Sequence, residues 1–137
     1  MKRSILAFIA GLVAWVLVAS VLNRGLRALL DGYTAAELQM HFTLAMMAGR
    51  LIIAVIASLV AGGIIGAVDP SSPRVPWVLG VIMLAAFLPA HVKLWNNFPI
   101  WYHLTFLVTL LPLLVLGARL TASGRPGKAA ADAREPA

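Results

Sequence analysis

The stretch RLIIAVIASLVAGGIIGAVDPSSPRVP, residues 50–76, decides the fold. Arg50 is followed by eighteen residues without a charge, and a segment rich in proline and serine comes after them. An apolar run of about 20 residues is long enough to cross a hydrocarbon core about 30 Å thick as an α-helix. Prolines end such a helix because they lack a backbone N–H and favour turns. The stretch therefore predicts a membrane-spanning helix followed by a loop.

The composition of the whole chain agrees with this prediction. Of 137 residues, 61% are hydrophobic and 12% are charged, whereas soluble domains are about half apolar and a quarter charged. No segment alternates as the strands of a membrane barrel do, and a lipid-exposed segment must satisfy its own backbone hydrogen bonds. The chain has no cysteine, which excludes disulfides and thiolate chemistry. We predict an all-α integral membrane protein.

Four helices are predicted within a single domain over residues 1–120. Between the first two, Gly32 is expected to end a helix, and Thr34 with Glu37 forms a candidate capping box. A helix over 35–68 would be about 50 Å long, which exceeds the bilayer core. We therefore predict a four-helix bundle with a protruding hairpin between helices 1 and 2. The predicted helices span about 4–30, 35–68, 75–94 and 99–120, and a disordered cytoplasmic tail follows over 121–137.

The basic residues indicate an orientation. The N-terminal segment, the loop after residue 68 and the tail together carry seven of them, and the other two loops carry four. The larger number of basic residues on the first side favours both termini in the cytoplasm. Because the charges lie at the ends of the apolar runs, they also favour a membrane over nucleic acid as the partner. The first apolar run also fits a signal peptide cleaved after Ser20. The seven residues are Lys2, Arg3, Arg74, Arg119, Arg125, Lys128 and Arg134, and the four are Arg24, Arg27, Arg50 and Lys93.

Arg50 allows two interpretations. If the spanning part of its helix is 51–68, Arg50 lies at the membrane boundary, where its long side chain reaches the headgroups. If helices 1 and 2 instead pair in register about the turn at 31–34, Arg50 lies deep, level with Trp15 and without a carboxylate partner at that level. A deep arginine costs a few kcal/mol on insertion scales and is a functional-site candidate, here for a small transporter or channel component.

The three histidines form a second candidate site. His91 and His103 fall at nearly the same level on both sides of the NNFP turn at 96–99, and His41 is expected near that level on helix 2. Facing histidines hold haem or metals in helix bundles. The sequence carries no further ligand spacing and no acid to orient a ring, so no metal and no cofactor is predicted. Interfacial histidines that bond to water, backbone or lipid are the alternative.

Aromatic residues surround the same turn. Trp95, Trp101 and Tyr102 are typical of an aromatic belt at a membrane interface. The alternative is a stacking wall for a lipophilic ligand such as a quinone or lipid, and these residues join His91, His103, His41 and Arg50 as ligand-binding candidates.

Ser58, Gly62 and Gly66 form a stripe of small residues on helix 2. Small residues let helix backbones approach closely, either inside the bundle or at a subunit interface. We expect this stripe to mediate helix packing, with a membrane protein partner or a homo-oligomer as the intermolecular version.

Three segments resemble a group of small four-span bacterial inner-membrane proteins that has no established activity: HVKLWNNFPIWYHLTFL at 91–107, MMAGRL at 46–51 and LPLLVLGARL at 111–120. The resemblance implies a bacterial inner-membrane location and the four-span layout, and it assigns no catalytic residue.

No nucleophile with a base, no paired carboxylates and no phosphate-binding loop occur in the sequence, and all five acidic residues lie outside the predicted spans or at the hairpin tip. The leading expectation is a non-catalytic membrane protein with a structural, accessory or partner-binding role. The alternatives are a haem, metal or lipophilic-ligand protein that uses His91 and His103, and a small transporter or channel component with Arg50.

Overall fold

A computed structural model of the protein describes residues 1–123. It contains five α-helices and no strand within those residues, and four of the helices are long and apolar enough to cross a membrane. This confirms the predicted all-α, four-span fold. The helices are α1 (Lys2–Leu29), α2 (Tyr33–Gln39), α3 (Leu44–Val68), α4 (Val75–Lys93) and α5 (Ile100–Ser123).

The four long helices form a ring in the order α1, α3, α5, α4. Consecutive spanning helices run in opposite directions, so α3 and α5 are parallel neighbours. We call the end of the bundle that holds α2 and the 94–99 turn the hairpin end. The opposite end holds residue 1, the 69–74 loop and the last turn of α5.

The core lies between the middle of the bundle and the opposite end. Ala7, Ile65, Leu79 and Leu114, one from each spanning helix, are fully buried there. A Cβ atom added at Gly11 would come within 3.3 Å of both Ile65 and Leu79, so the missing side chain there lets α1 approach α3 and α4.

The predicted continuous helix over 35–68 is wrong. The structure has two helices there, separated at 40–43: Met40 adopts a left-handed conformation at φ 53°, and the Thr43 hydroxyl accepts a hydrogen bond from the backbone N–H of Met46. A side-chain cap of this kind starts a new helix. The hairpin between the first two spans therefore consists of the end of α1 and the seven-residue α2, not of two long helices.

The predicted capping box at Thr34 and Glu37 is also wrong. Gly32, in the left-handed conformation at φ 76°, precedes α2, and no side chain caps that helix. Glu37 instead binds an arginine of α1. The proline-rich break is confirmed, since α3 ends at Val68 and α4 begins at Val75.

The last helix is longer than predicted, since α5 continues to Ser123. The first three residues of the predicted tail are therefore helical. The rest of that predicted tail, 124–137, lies outside the described residues.

The small-residue stripe lies against a neighbouring helix of the same chain. A Cβ atom added at Gly62 would collide with the backbone carbonyl of Leu114, and one added at Gly66 would collide with that of Ala118. The Thr121 hydroxyl donates to the carbonyl of Gly63 at 2.9 Å. The backbones of α3 and α5 are therefore in direct contact, and the predicted packing role of the stripe is fulfilled inside the bundle.

Candidate ligand-binding site at the hairpin end

Arg50 is the centre of a hydrogen-bonding network inside the hairpin end. Its Nε donates to the Tyr102 hydroxyl at 3.2 Å, and its Nη1 donates to the Tyr33 hydroxyl at 3.1 Å. Glu37 Oε1 lies 3.6 Å from Nη1, and the guanidinium lies 4.9 Å above the centre of the Phe42 ring. Three different elements, α2, α3 and α5, thus meet at one arginine.

The short helix α2 is held in place by α1. Arg27 Nε donates to Glu37 Oε2 at 2.7 Å, and Asn23 Nδ2 donates to Glu37 Oε1 at 3.3 Å. The hydroxyl of Tyr33, which is fully buried, donates to Asn23 Oδ1 at 2.9 Å. A single carboxylate therefore lies between Arg27 and Arg50, and the local group carries one net positive charge.

Two pKa shifts follow from this packing. Burial alone would raise the pKa of Glu37, but hydrogen bonds from Arg27 and Asn23 outweigh it, and the pKa lies below its ordinary value. Burial raises the pKa of Tyr33, and the charge of Arg50 offsets that rise only in part. Tyr33 is therefore a neutral phenol that accepts from Arg50 and donates to Asn23.

The in-register pairing of Arg50 with Trp15 is wrong. Trp15 Nε1 donates to the hydroxyl of Ser58 at 3.1 Å, two turns further along α3 than Arg50. That interpretation leaves Arg50 without a carboxylate partner at its level, whereas in the structure the break at 40–43 folds Glu37 back to it. Arg50 is the seventh residue of α3, and its guanidinium is directed into the bundle, where it binds Tyr33 and Tyr102.

His91 and His103 form a direct hydrogen bond between their Nδ1 atoms, at 2.7 Å. Their predicted placement at the same level is confirmed. His103 is 1% exposed, and its Nε2 has no hydrogen-bond partner within residues 1–123. The Trp95 indole stacks on the His103 ring with the ring centres 4.9 Å apart. A buried ring nitrogen without a partner is costly and requires an explanation.

Two partly open cavities lie on either side of Arg50 and Tyr102. The histidine cavity has a volume of about 300 Å³ and extends from Arg50 to the His91–His103 pair along Phe42, Phe98 and Phe106. The α1 cavity has a volume of about 320 Å³ and is lined by α1 from Trp15 to Asn23, together with side chains of α2, α3, α4 and α5. Both are lined by Glu37, Arg50, Phe87, Tyr102 and Phe106.

The other sequence candidates lie outside these cavities. His41 is exposed and its Nδ1 lies 3.1 Å from the carbonyl oxygen of Gln39, so it does not join the histidine pair. Trp101 is 42% exposed and touches Tyr102 only edge-on. Trp95 supports His103 without lining either cavity. Tyr102, in contrast, is buried and lines both cavities.

Sequence reasoning missed the residues that α2 and the two turns contribute. Phe42 and Phe98 stack at 5.3 Å between ring centres and form a wall of the histidine cavity. Thr43, a capping residue just before the apolar run, is the one signal that could have revealed the break and brought Phe42 inward. Tyr33 and Asn23 carry no comparable signal, because their pairing depends on how α2 folds back.

The two histidines bind each other directly, with 2.7 Å between their Nδ1 atoms. A metal ion bound at about 2.0–2.1 Å from two imidazole nitrogens in tetrahedral geometry holds them about 3.3 Å apart, farther than the two Nδ1 atoms are here. Within residues 1–123, no group of three or more histidines, cysteines and acids comes together. The pair is arranged to share a proton rather than to bind a metal between the Nδ1 atoms.

Comparison with known protein families, characterised proteins and solved structures finds no match for this chain.

Proposed function

We propose that the protein is a non-catalytic membrane protein that binds a lipophilic molecule by its polar head at Arg50 and Tyr102. The observation that carries this proposal is the pair of aromatic-lined cavities that share these two side chains. Ligand sites are typically concave, mostly apolar and of about 300–1,000 Å³, with a few placed polar groups.

Hydrogen-bond accounting supports a polar head at this point. The Tyr102 hydroxyl accepts from Arg50 and bonds to no other residue of 1–123, so its proton is free to donate. Arg50 uses Nε and Nη1 on the two tyrosines and Glu37, which leaves Nη2 as a second donor. The two free donors suit a carbonyl, carboxylate or phosphate oxygen.

The lining of the cavities supports a ligand with an apolar tail. The α1 cavity is partly open, and most of the side chains that line it on α1, α3, α4 and α5 are apolar. An apolar tail can lie in this cavity. Phe87 and Phe106 border both cavities, and their apolar rings suit the passage of such a tail.

Packing weakens the case for a subunit interface through the small-residue stripe. Gly62 and Gly66 are covered by α5 of the same chain, so their faces are not free for a second copy. An accessory role through a membrane partner remains compatible with ligand binding, but no surface of the bundle favours it as clearly as the cavities favour a ligand.

We further propose that the protein resides in a bacterial inner membrane, with both termini cytoplasmic. The sequence supports this orientation: the N-terminal segment, the loop after residue 68 and the segment from 119 onward carry seven basic residues, whereas the rest of the chain carries four. The hairpin end, with its cavities, then faces away from the cytoplasm.

The proposal is tested by identifying what the protein retains. The full chain is extracted in native-lipid nanodiscs, and the small molecules released by solvent are quantified against protein by mass spectrometry. We expect one class of lipophilic compound in stoichiometric amount, reduced about tenfold in Arg50→Gln because a charge-assisted hydrogen bond is lost.

Arg24→Gln is the matched control, since Arg24 is an exposed arginine at the same end of the bundle. It should retain the compound as the wild type does. Tyr102→Phe removes one donor and keeps the ring, and should give a smaller loss; circular dichroism shows whether each variant is folded. Identical contents in wild type, Arg50→Gln and Arg24→Gln would contradict the proposal.

A further inference from the structure

Arg50 carries a positive charge that its hydrogen-bond partners do not neutralise. Both of its hydrogen bonds go to phenol hydroxyls, those of Tyr33 and Tyr102. A phenol hydroxyl accepts the hydrogen bond but supplies no full negative charge. The Phe42 ring lies 4.9 Å from the guanidinium, and an aromatic face attracts a cation without cancelling its charge. The charge of Arg50 therefore needs a counter-ion from elsewhere.

The nearest carboxylate is bound more closely to another arginine. Glu37 lies 2.7 Å from Arg27, measured from Oε2 to Nε, but 3.6 Å from Arg50, measured from Oε1 to Nη1. No other acidic group of residues 1–123 lies within 4 Å of a nitrogen of Arg50. Two arginines thus share one carboxylate, and the positive charge that remains lies mainly at Arg50.

This remaining charge is accessible from the cavities. The Arg50 side chain is 33% exposed and lines both the histidine cavity and the α1 cavity. Beyond it, the wall of the α1 cavity includes apolar side chains such as Val16, Ile53 and Phe87. A charge held among apolar groups is costly unless it is paired, and arginines within membrane proteins serve as counter-ions of ligands. The α1 cavity therefore combines an unneutralised cation with apolar walls.

We infer that the ligand is an amphiphile whose head carries one negative charge and is the counter-ion of Arg50, with its apolar chain in the α1 cavity. This inference rests on the proposed function and names the charge of its ligand. One negative charge balances the one that remains on the protein, whereas a neutral head leaves it unpaired and a phosphate monoester, at about −1.5 to −2, exceeds it. A fatty-acid carboxylate and the phosphodiester of a phospholipid share this chemistry, and the test separates these two sources.

The test compares ligands that differ in charge. The full-length protein is freed of bound lipophiles and titrated by calorimetry with decanoate, methyl decanoate and phosphatidylglycerol at about pH 8, where a carboxylate is ionised. Decanoate and its methyl ester share the chain and the carbonyl group and differ in the charge. The ratio of their affinities is compared between variants, since each ligand partitions into detergent equally for all of them.

Three variants at the hairpin end test the counter-ion. Arg50→Gln keeps a hydrogen-bond donor and removes the charge, so we expect the ratio of decanoate to ester affinity to fall at least about tenfold. Arg50→Lys keeps the charge and should preserve most of the ratio. Arg24→Gln removes an exposed arginine of the same end and should leave the ratio unchanged.

Arg27→Gln tests the sharing of the carboxylate from outside the cavities. Arg27 lines neither cavity, so the variant removes no contact with the ligand. Without Arg27, Glu37 is free to neutralise Arg50, and we expect the ratio to fall about threefold or more. Arg27→Lys keeps the charge that holds Glu37 and should preserve the ratio. Circular dichroism shows whether each variant is folded.

The outcomes separate the two proposals. The same ratio in the wild type and Arg50→Gln would overturn the anion inference, and an unchanged ratio in Arg27→Gln would contradict the charge balance on which it rests. If a neutral compound is then retained in an Arg50-dependent way, the proposed function stands without the inference. An Arg50-dependent preference for decanoate or for phosphatidylglycerol supports the inference and identifies the source of the anion. If neither retention nor the binding of any ligand depends on Arg50, both proposals fail.

Discussion

Helices α3 and α5 run parallel in one register, yet they meet in two different ways along their length. Toward the opposite end, the backbone of α3 at Gly62 and Gly66 touches that of α5, and no side chain lies between them. At the hairpin end, Arg50 and Tyr102 occupy the equivalent facing positions and bridge the helices with a hydrogen bond of 3.2 Å between Nε and the hydroxyl. The same helix pair is in backbone contact at one level, which we call the closed level, and is bridged by side chains at the other, which we call the open level.

The difference follows from residue size. Glycine lets two backbones come into contact, and that contact stabilises the bundle by packing, which is the main source of helix association in a membrane. A long, polar side chain keeps the helices apart and requires hydrogen-bonding partners. The closed level therefore provides stability, and the open level provides space with polar groups directed into it.

The closed level should be the more sensitive to mutation. Gly66→Ala places a methyl group against the Ala118 carbonyl, which cannot move without shifting α5, and we expect a loss of about 3 kcal/mol in the free energy of unfolding. Gly25→Ala is the control: a Cβ there meets no atom within 4 Å, so the helix gains up to about 1 kcal/mol from alanine. Unfolding in mixed detergent measures both, and equal effects would refute the backbone contact.

A substitution at the open level should lower the free energy of unfolding less than one at the closed level. Arg50→Met removes the bridge to Tyr33 and Tyr102 but retains most of the volume, and we expect a loss of about 1.5 kcal/mol, since the two hydroxyls lose a partner. The same unfolding assay on Arg24→Met should show a change within about 0.5 kcal/mol, as for an ordinary surface substitution. A cost for Arg50→Met as large as that of Gly66→Ala would contradict the division between the two levels.

Between the two levels, Ser58 joins α3 to α1. Ser58→Ala leaves the indole N–H of Trp15 without its acceptor, and we expect a cost of about 1 kcal/mol in the free energy of unfolding. In a Trp15→Phe background the serine has no indole to accept from, and the cost of Ser58→Ala should fall. An undiminished cost in that background would show that the hydrogen bond contributes nothing.

At the opposite end, Asp69 ties the end of α3 to the start of α1. Its carboxylate accepts from the hydroxyls of Ser71 and Ser4, each at 2.7 Å, and these bonds lower the pKa of Asp69. A lowered pKa stabilises the fold above the ordinary value of about 3.9 and ceases to do so as the pH falls through the folded-state value.

Ser4→Ala should therefore lower the thermal midpoint slightly at pH 7, and its difference from the wild type should shrink as the pH falls below about 3.9. In an Asp69→Asn background, the pH dependence of that difference should disappear. A difference that persists unchanged at low pH would refute the role of the ionised Asp69. This is the smallest of the expected effects.

The sequence predicts the closed level better than the open one. The apolar runs place all four spans, because length and hydrophobicity alone determine them in a bilayer. The small-residue stripe predicts a packing surface but not the helix that covers it, since Gly117 lies alone in a leucine-rich run and the ring order of the helices depends on tertiary packing.

The open level is only half predictable. His91 and His103 follow from the short 96–99 turn, because a tight antiparallel connection fixes which residues are level. The Arg50 network does not follow, since Glu37 and Tyr33 reach it only through the break at 40–43. That segment contains neither Gly nor Pro, and Met40 adopts its left-handed conformation without a sequence signal.

The difference between the two levels is tested most directly by an experimental structure of the full chain in native-lipid nanodiscs. We expect α3 and α5 to diverge from Gly66 toward Arg50, and elongated non-protein density to lie within hydrogen-bond distance of Arg50 and Tyr102. Backbone contact of α3 with α5 along their whole length, or side chains of the protein itself filling both cavities, would contradict this expectation.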